Sequence, residues 1–340
     1  MKNENIGSEN KELYYRLITL WVVCEAFAGG VMHATKIPFS GMMVSSLAVI
    51  CITLIAYYIP GNGNILKASV IVAIFKLMLS PHSPPTAYIA VFFQGYMGQL
   101  LFHGKRHFAL SAIIFSVLAL VESALQRLLV LLIIYGNSFW HAADEYVTKT
   151  VGGTNKNYSL LLASGYIFVH AVAGIFVGIF AVRAIKNYEK RKSGYDPLLL
   201  NYSQKPSAET EIDFGKKKSR KLFILLWLVL IILFIQAYIY PQSAVLPHND
   251  VFRILLRSLV ILLSWYFIFT PIIKKLIAQK LRSQKVKQQT EIKKVLQLLP
   301  EIKYIFMQSW ILSSSLKGFS RIKLFLKILL FNILSKREEI

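Results

Sequence analysis

Apolar residues are grouped along the chain into eight runs, most of them long enough to cross a lipid bilayer as a helix. A crossing needs roughly 17–25 mostly apolar residues. The third run is short and contains Lys67 and Lys76, whereas the fifth is long enough to tilt in the membrane. The predicted spans are 14–31, 41–58, 65–80, 86–102, 108–135, 158–182, 222–240 and 251–273.

Polar segments between these runs divide the chain into four parts. Residues 1–185 contain six spans with short connections, and residues 186–221 form a polar, charged linker. Residues 222–273 form a membrane hairpin of two aliphatic spans, and residues 274–340 form a basic tail. The predicted fold class is therefore an all-α polytopic membrane protein: a six-helix transmembrane bundle, two further spans and a cytoplasmic amphipathic-helix tail.

The tail has the pattern of amphipathic helices. Leu, Ile and Phe recur at helical spacing among lysines, and we expect interruptions at Pro300 and at Gly318. Such helices either lie in the headgroup plane of the bilayer or dock on a partner. A further crossing is the third alternative.

Composition and charge support a membrane protein and give it an orientation. Of 340 residues, 55% are apolar or aromatic and only 16% are charged, whereas soluble domains are usually about one quarter charged. The net charge is +22, and 26 of the 39 Lys and Arg residues lie in 183–221 and 274–340. Because basic connections stay in the cytoplasm, both segments and both chain ends are predicted to be cytoplasmic, in a multi-pass inner-membrane protein. Topology and anionic lipid explain this charge, so no nucleic-acid partner is expected.

Ionisable and polar residues inside the first six spans are the candidate site. A charge in the bilayer is costly unless it is paired or wet, so such residues usually face a cavity. By depth, Glu25 is expected to pair with Lys76, either as a structural ion pair or as part of a binding site. The candidate solute-binding residues, placed around one polar cavity open to the outside, are Glu25, His33, Lys76, His82, Gln94, Glu122 and Arg127.

Sequence motifs leave the chemistry of this site open. The chain has no phosphate-binding loop, no His-Glu-x-x-His and no Gly-x-Ser-x-Gly, so an enzyme is only the alternative interpretation and no cofactor is expected. The histidines match no local metal motif, and a metal site stays open. Small residues at Ala26, Gly30 and Ala34 share one face of the first span, which allows close helix approach within the bundle or to another membrane subunit.

Three stretches carry a family resemblance. They are the first span from Glu25 to Ala34, the segment 37–46, and the segment 75–82 that ends in Ser-Pro-His. With six spans around a polar outer cavity, residues 10–185 resemble the substrate-binding S component of an energy-coupling factor transporter, and the second half loosely resembles its coupling subunit. The resemblance implies that Ala26, Gly30 and Ala34 contact a membrane coupling subunit, and that separate ATPases drive the movement.

The sequence thus predicts a bacterial inner-membrane transport protein. It would bind a small solute, vitamin-like or metal, as the substrate-binding component of an ATPase-driven uptake system, and it would not itself be an enzyme. Two alternatives remain: a membrane-embedded enzyme that uses Glu25, His33 or Glu122 as acid or base, and a scaffold whose basic tail recruits a partner to the membrane.

Overall fold

The structure is a computed structural model, and its described residues are all in helices, turns or short connections. They comprise 8–28, 39–79, 85–104, 107–151, 158–191, 198–200 and 289–335, with 239, 258–259, 272, 275 and 279. The predicted linker and the two-span hairpin lie almost entirely outside these residues. The all-helical fold class is confirmed for the described chain, whereas the count of eight spans stays a prediction.

Eight α-helices are described, with one π-helical turn and one 3₁₀ turn. They are α1 (Ser8–Val23), the π-helical turn Cys24–Ala28, α2 (Ser40–Tyr58), α3 (Asn64–Leu79), α4 (Pro85–Leu101), α5 (Phe108–Val151), α6 (Tyr158–Arg191), α7 (Gln289–Leu312), the 3₁₀ turn Ser313–Ser315 and α8 (Gly318–Leu334).

The chain forms two compact units. The first contains Met1–Ser123, His170–Lys205 and Ile277–Ile340, and the second contains Ala124–Val169 and Pro206–Leu276. Helices α5 and α6 each contribute one part to either unit.

Three described helices are long and apolar enough to cross a membrane: α2, α5 from Phe108 to Gly136, and α6 from Tyr158 to Lys190. The apolar window of α2 is 61% buried, whereas those of α5 and α6 are only 33% and 28% buried. Helices with such large exposed apolar faces need a nonpolar solvent, because in water these faces would cause aggregation. The exposed faces of α5 and α6 are therefore suited to lipid, and α2 is an interior helix.

The predicted helix ends are accurate where a turn sequence ends an apolar run, and inaccurate elsewhere. The second, third and fourth predicted spans coincide with α2, α3 and α4 to within one residue. Helix α6 continues to Arg191, past the predicted end at 182 and into the predicted linker. Its last turns are polar yet packed, since the Tyr58 hydroxyl donates to Glu189 Oε1 over 2.8 Å.

The connection predicted after residue 135 is largely helical. Helix α5 continues to Val151 after a break at Gly136, whose φ of 69° is easily adopted only by glycine. In the second unit, Asp144 accepts hydrogen bonds from the backbone N–H and hydroxyl of Ser159, over 2.5 and 2.9 Å. Ser159 lies in the first turn of α6, so Asp144 satisfies a free helix N-terminal N–H group.

The tail packs against the chain's own first helix. Helices α7 and α8 both contact α1, and the buried Arg16 guanidinium donates to the carbonyl oxygens of Asn332 (2.7 Å) and Ser335 (3.1 Å). A cation at the last carbonyls of α8 is favourable because these carbonyls are the negative end of the helix dipole. None of the three alternatives expected for the tail included this internal contact.

The expected interruption at Pro300 is wrong, whereas that at Gly318 is confirmed. Helix α7 runs through Pro300, which is exposed, so the backbone carbonyl freed by the missing N–H can be hydrated. Gly318 has a φ of 58° and follows an extended Lys317, which separates α8 from the preceding 3₁₀ turn.

Two glycines set the contact between α5 and α6 in the first unit. A Cβ atom at Gly174 would lie 2.7 Å from Val117 Cα, and one at Gly178 would lie 2.7 Å from Ile113 Cα. The Ser116 hydroxyl donates to the Gly174 carbonyl oxygen over 2.6 Å. This is the close, small-residue approach that stabilises helix pairs in lipid.

We expect Gly178→Ala to destabilise the protein by about 1–3 kcal/mol, because the added methyl group meets backbone atoms that cannot rotate away. Thermal unfolding in detergent measures the change. The control is Gly165→Ala on the same helix, where a Cβ meets nothing within 4 Å. Equal destabilisation by the two variants would contradict the close approach at Gly178.

Candidate functional site

A buried ion pair joins the first helix to the third. The Lys76 Nζ atom lies 2.5 Å from Glu25 Oε2, and the two side chains are only 8% and 4% exposed. The pairing expected from sequence depth is therefore confirmed. Each charge in such surroundings would cost several kcal/mol without its partner, and the pair leaves the region formally neutral.

Glu25 lies in the π-helical turn Cys24–Ala28. A π-helical turn adds a residue to a helix and so rotates the side chains that follow, and such turns are frequent at functional sites. The apolar pattern of the first span contains no signal for this turn, because it changes the register of the helix and not its hydrophobicity.

Antiparallel packing of α3 and α4 brings Tyr88 to the level of Lys76. A Cβ atom added to Gly95 would meet the side chain of Ser69, and one added to Gly98 would lie 2.7 Å from Ile52 of α2 and 3.4 Å from Ile65 of α3. Lys76 lies seven residues after Ser69 on α3, and Tyr88 lies seven residues before Gly95 on α4. Because both helices rise about 1.5 Å per residue, these two side chains share one level of the bundle.

The same register argument places α5 and α6. Gly174 lies against Val117 and Gly178 against Ile113, so the two helices are antiparallel. Four residues before Gly174 is His170, and four residues after Val117 is Val121, which puts His170 at the level of Val121 and its neighbour Glu122. His170 is fully buried and its ring lies 6.0 Å from that of Phe39.

The start of α2 completes this level. A Cβ atom at Gly41 would lie 2.9 Å from Ser123 Oγ, so the start of α2, with Ser40, lies against the turn of α5 that contains Glu122. Gln94 Nε2 donates to Ser45 Oγ over 3.4 Å, and counting six residues back along both helices places Phe39 level with Tyr88. We call the six residues of this level the polar layer: Glu25, Ser40, Lys76, Tyr88, Glu122 and His170.

Groups in and just below the polar layer are incompletely hydrogen-bonded. Within the described chain, the buried Tyr88 hydroxyl, Gln94 Oε1 and Trp21 Nε1 have no hydrogen-bond partner. Gln94 lies six residues from Tyr88 along α4, about 9 Å deeper in the bundle. An unsatisfied buried donor or acceptor costs about 1–3 kcal/mol, a cost that a bound polar molecule would offset.

The other site residues predicted from sequence are dispersed or lie outside the described residues. His33, Gly30 and Ala34 fall in 29–38, and His82 falls in 80–84, neither of which the structure describes. Arg127 is exposed and lies in the second unit. Ala26 is buried, 8% exposed, so in this structure its side chain is covered by the chain itself. The subunit contact expected of these small residues stays a prediction.

The expected open cavity is not among the two cavities described. One, of about 340 Å³, is lined by Leu66, Tyr96, Gln99, Leu100 and His103. The other, of about 400 Å³, lies along α1 and α7 beside Tyr15 and Lys294. Within the described residues, two charges of the polar layer, Glu25 and Lys76, are in direct contact. The described chain also contains no cluster of three His, Cys, Asp or Glu residues for a metal.

A strained residue stands beside the layer. Phe39, which precedes α2, has a φ of 62°, a left-handed conformation that is unfavourable for a bulky aromatic residue. Strain of this kind costs about 1–3 kcal/mol and is concentrated at binding and switch sites. Phe39 is 40% exposed, so it lies at the border between the layer and the outside of the bundle.

Sequence reasoning missed two polar residues. One is Tyr88, whose hydroxyl becomes relevant only through the α3–α4 register. The other is Arg16, which lies inside the first predicted span and could have been identified as a charge that needs a partner. Its partners are the Glu301 carboxylate and the backbone carbonyls of Asn332 and Ser335, all distant in sequence, which no local pattern reveals.

Comparisons with known proteins give no relative. No protein-family model matches the chain, and no curated protein and no solved structure matches it significantly.

We expect Glu25→Gln or Lys76→Met alone to destabilise the protein by about 3–5 kcal/mol, because each leaves one buried ionisable group that must be neutralised or stay charged without its partner. The double variant removes both charges and should recover most of that loss. Unfolding in detergent of all four proteins gives the coupling between the two sites.

Lys67→Met is the matched control. Lys67 pairs with Glu291 but is 42% exposed, so this loss should be within about 1 kcal/mol. A double variant as unstable as the sum of its singles would show that Glu25 and Lys76 act independently.

Proposed function

We propose that this chain is the substrate-binding component of a membrane uptake transporter, and that the polar layer binds its small, polar solute. The observation that carries the proposal is the buried Glu25–Lys76 ion pair. Counting residues along the packed helices puts four further polar side chains near its level. Ionisable residues within a membrane-embedded bundle usually mark the path or site of a solute.

The ion pair suits a site that closes when empty. In the absence of solute, Glu25 and Lys76 neutralise each other, so neither charge needs water. A solute with both an acidic and a basic group can pair its basic group with Glu25 and its acidic group with Lys76. It can also form a hydrogen bond with the Tyr88 hydroxyl. An organic, vitamin-like molecule fits this set of groups better than a bare metal ion.

The proposed topology has six spans around the layer, two further spans, and both chain ends in the cytoplasm of a bacterial cell. The support for this topology is the order of two polar contacts along α1. Arg16, in the middle of α1, contacts the basic tail, and Glu25 lies nine residues further along, about 13 Å away, just past the end of the helix. If the tail is cytoplasmic, the polar layer lies toward the outer face, from which a solute would enter.

Energy for uptake would come from separate ATPase subunits. The sequence contains no nucleotide-binding loop. The resemblance to S components supports a membrane coupling subunit that contacts the first span at Gly30 and Ala34, since Ala26 is covered by the chain itself. The enzyme alternative is less favoured, since Glu25, one of its three candidate acids or bases, is already neutralised by Lys76.

The test is solute binding by the full chain in lipid nanodiscs. Protein purified from cells grown in rich medium is analysed by native mass spectrometry, and a panel of vitamins, amino acids and divalent metals is screened by thermal shift. We expect one class of polar solute to bind wild type and Lys67→Met. The same solute should not bind the folded Glu25→Gln/Lys76→Met double variant.

Two results would contradict the proposal. One is binding that persists unchanged in the double variant, which would place the solute elsewhere. The other is a wild-type protein that carries no small molecule and is stabilised by none of the panel.

A further inference from the structure

The hairpin of α7 and α8 ends in an exposed apolar tip. Five large apolar side chains around the turn are 41–54% exposed, far more than a water-facing surface normally shows in one place. They are Trp310, Ile311, Leu312, Leu316 and Ile322. We call this group the hairpin tip.

The hairpin itself is anchored, so the tip is presented in a fixed position. The ring of Phe325 packs edge-on against Phe306 and Trp310, with centroids 5.3 and 5.4 Å apart. At its other end, Arg16 holds the last carbonyls of α8. The exposed face is therefore the outer surface of a packed structure.

Positive charge surrounds the tip without any negative charge. From residue 302 to 335 the chain has five Lys or Arg residues and no Asp or Glu. Lys317, Lys323 and Lys327 are exposed, and the Arg321 guanidinium lies 4.2 Å from the centre of the Trp310 ring. The first turn of α8 also lacks a side-chain cap, so its free N–H groups add partial positive charge.

This combination matches the surface of an anionic bilayer. Trp and Arg are favoured at the level of lipid headgroups, aliphatic side chains enter the acyl region, and lysines remain with the phosphates. An acidic protein would offer charge complementarity, but it would also need an apolar groove for five side chains on a convex turn. We propose that the hairpin tip inserts into an anionic lipid leaflet, independently of any solute bound at the polar layer.

The experiment places an environment-sensitive fluorophore on the tip of the full chain. The native Cys24 and Cys51 are both buried, about 1% exposed, so Ile311→Cys can be labelled selectively. The labelled protein is placed in nanodiscs of phosphatidylcholine, with or without phosphatidylglycerol, and quenching by acyl-brominated lipid is measured. We expect a blue shift and strong quenching with phosphatidylglycerol, and weaker quenching without it.

Two kinds of variant separate insertion from mere proximity. Charge removal in Lys317→Ser or Lys323→Ser should lower the ratio of inserted to free tip about fivefold for each residue in phosphatidylglycerol, and hardly at all in phosphatidylcholine. The label at Lys293→Cys, an exposed position in the first turns of α7 away from the tip, should stay unquenched.

Three outcomes would overturn the proposal. A tip label that is unquenched in both lipids would show that the tip does not enter the bilayer and would favour a protein partner instead. Quenching that does not depend on phosphatidylglycerol or on the lysines would show that anionic lipid is not recognised. Equal quenching at Lys293→Cys would show that the tip has no special contact with lipid.

Discussion

The ion pair between Glu25 and Lys76 is the constraint on which this bundle depends. Two charges that are less than 10% exposed can stay in an apolar interior only while they are in contact. That contact holds the end of the first helix, with its π-helical turn, against the end of the third. The polar groups of the remaining helices lie near the level of this contact, in the polar layer.

Small residues make the layer possible, and a second polar contact holds the middle of the first helix. Gly95 lets α4 approach α3, Gly98 lets it approach α2, and Gly174 and Gly178 let α6 approach α5. In the middle of α1, the buried Arg16 ties the tail to the bundle through backbone carbonyls and Glu301. The first helix is thus held by polar contacts in its middle and just past its end, and the ion pair is the contact that a polar solute could replace.

Much of the fold could be predicted from the sequence, but less of the site. Apolar runs bounded by turn residues located α2, α3 and α4 to within a residue, and depth alone paired Glu25 with Lys76. The π-helical turn, the extension of α6 to Arg191 and the helix through Pro300 could not be predicted, since each depends on tertiary packing or hydration. The same holds for Tyr88 and Arg16, whose roles follow from helix register and from contacts distant in sequence.

Isotope-edited infrared spectroscopy of the Glu25 side chain tests the central claim most directly. The spectrum of wild type minus that of Glu25→Gln should show only the bands of an ionised Glu25 carboxylate, because the charge of Lys76 balances the carboxylate charge. In Lys76→Met, the same carboxyl should appear protonated, since a lone buried charge is too costly to keep. A protonated Glu25 in wild type, or a carboxylate band unchanged by Lys76→Met, would contradict the account.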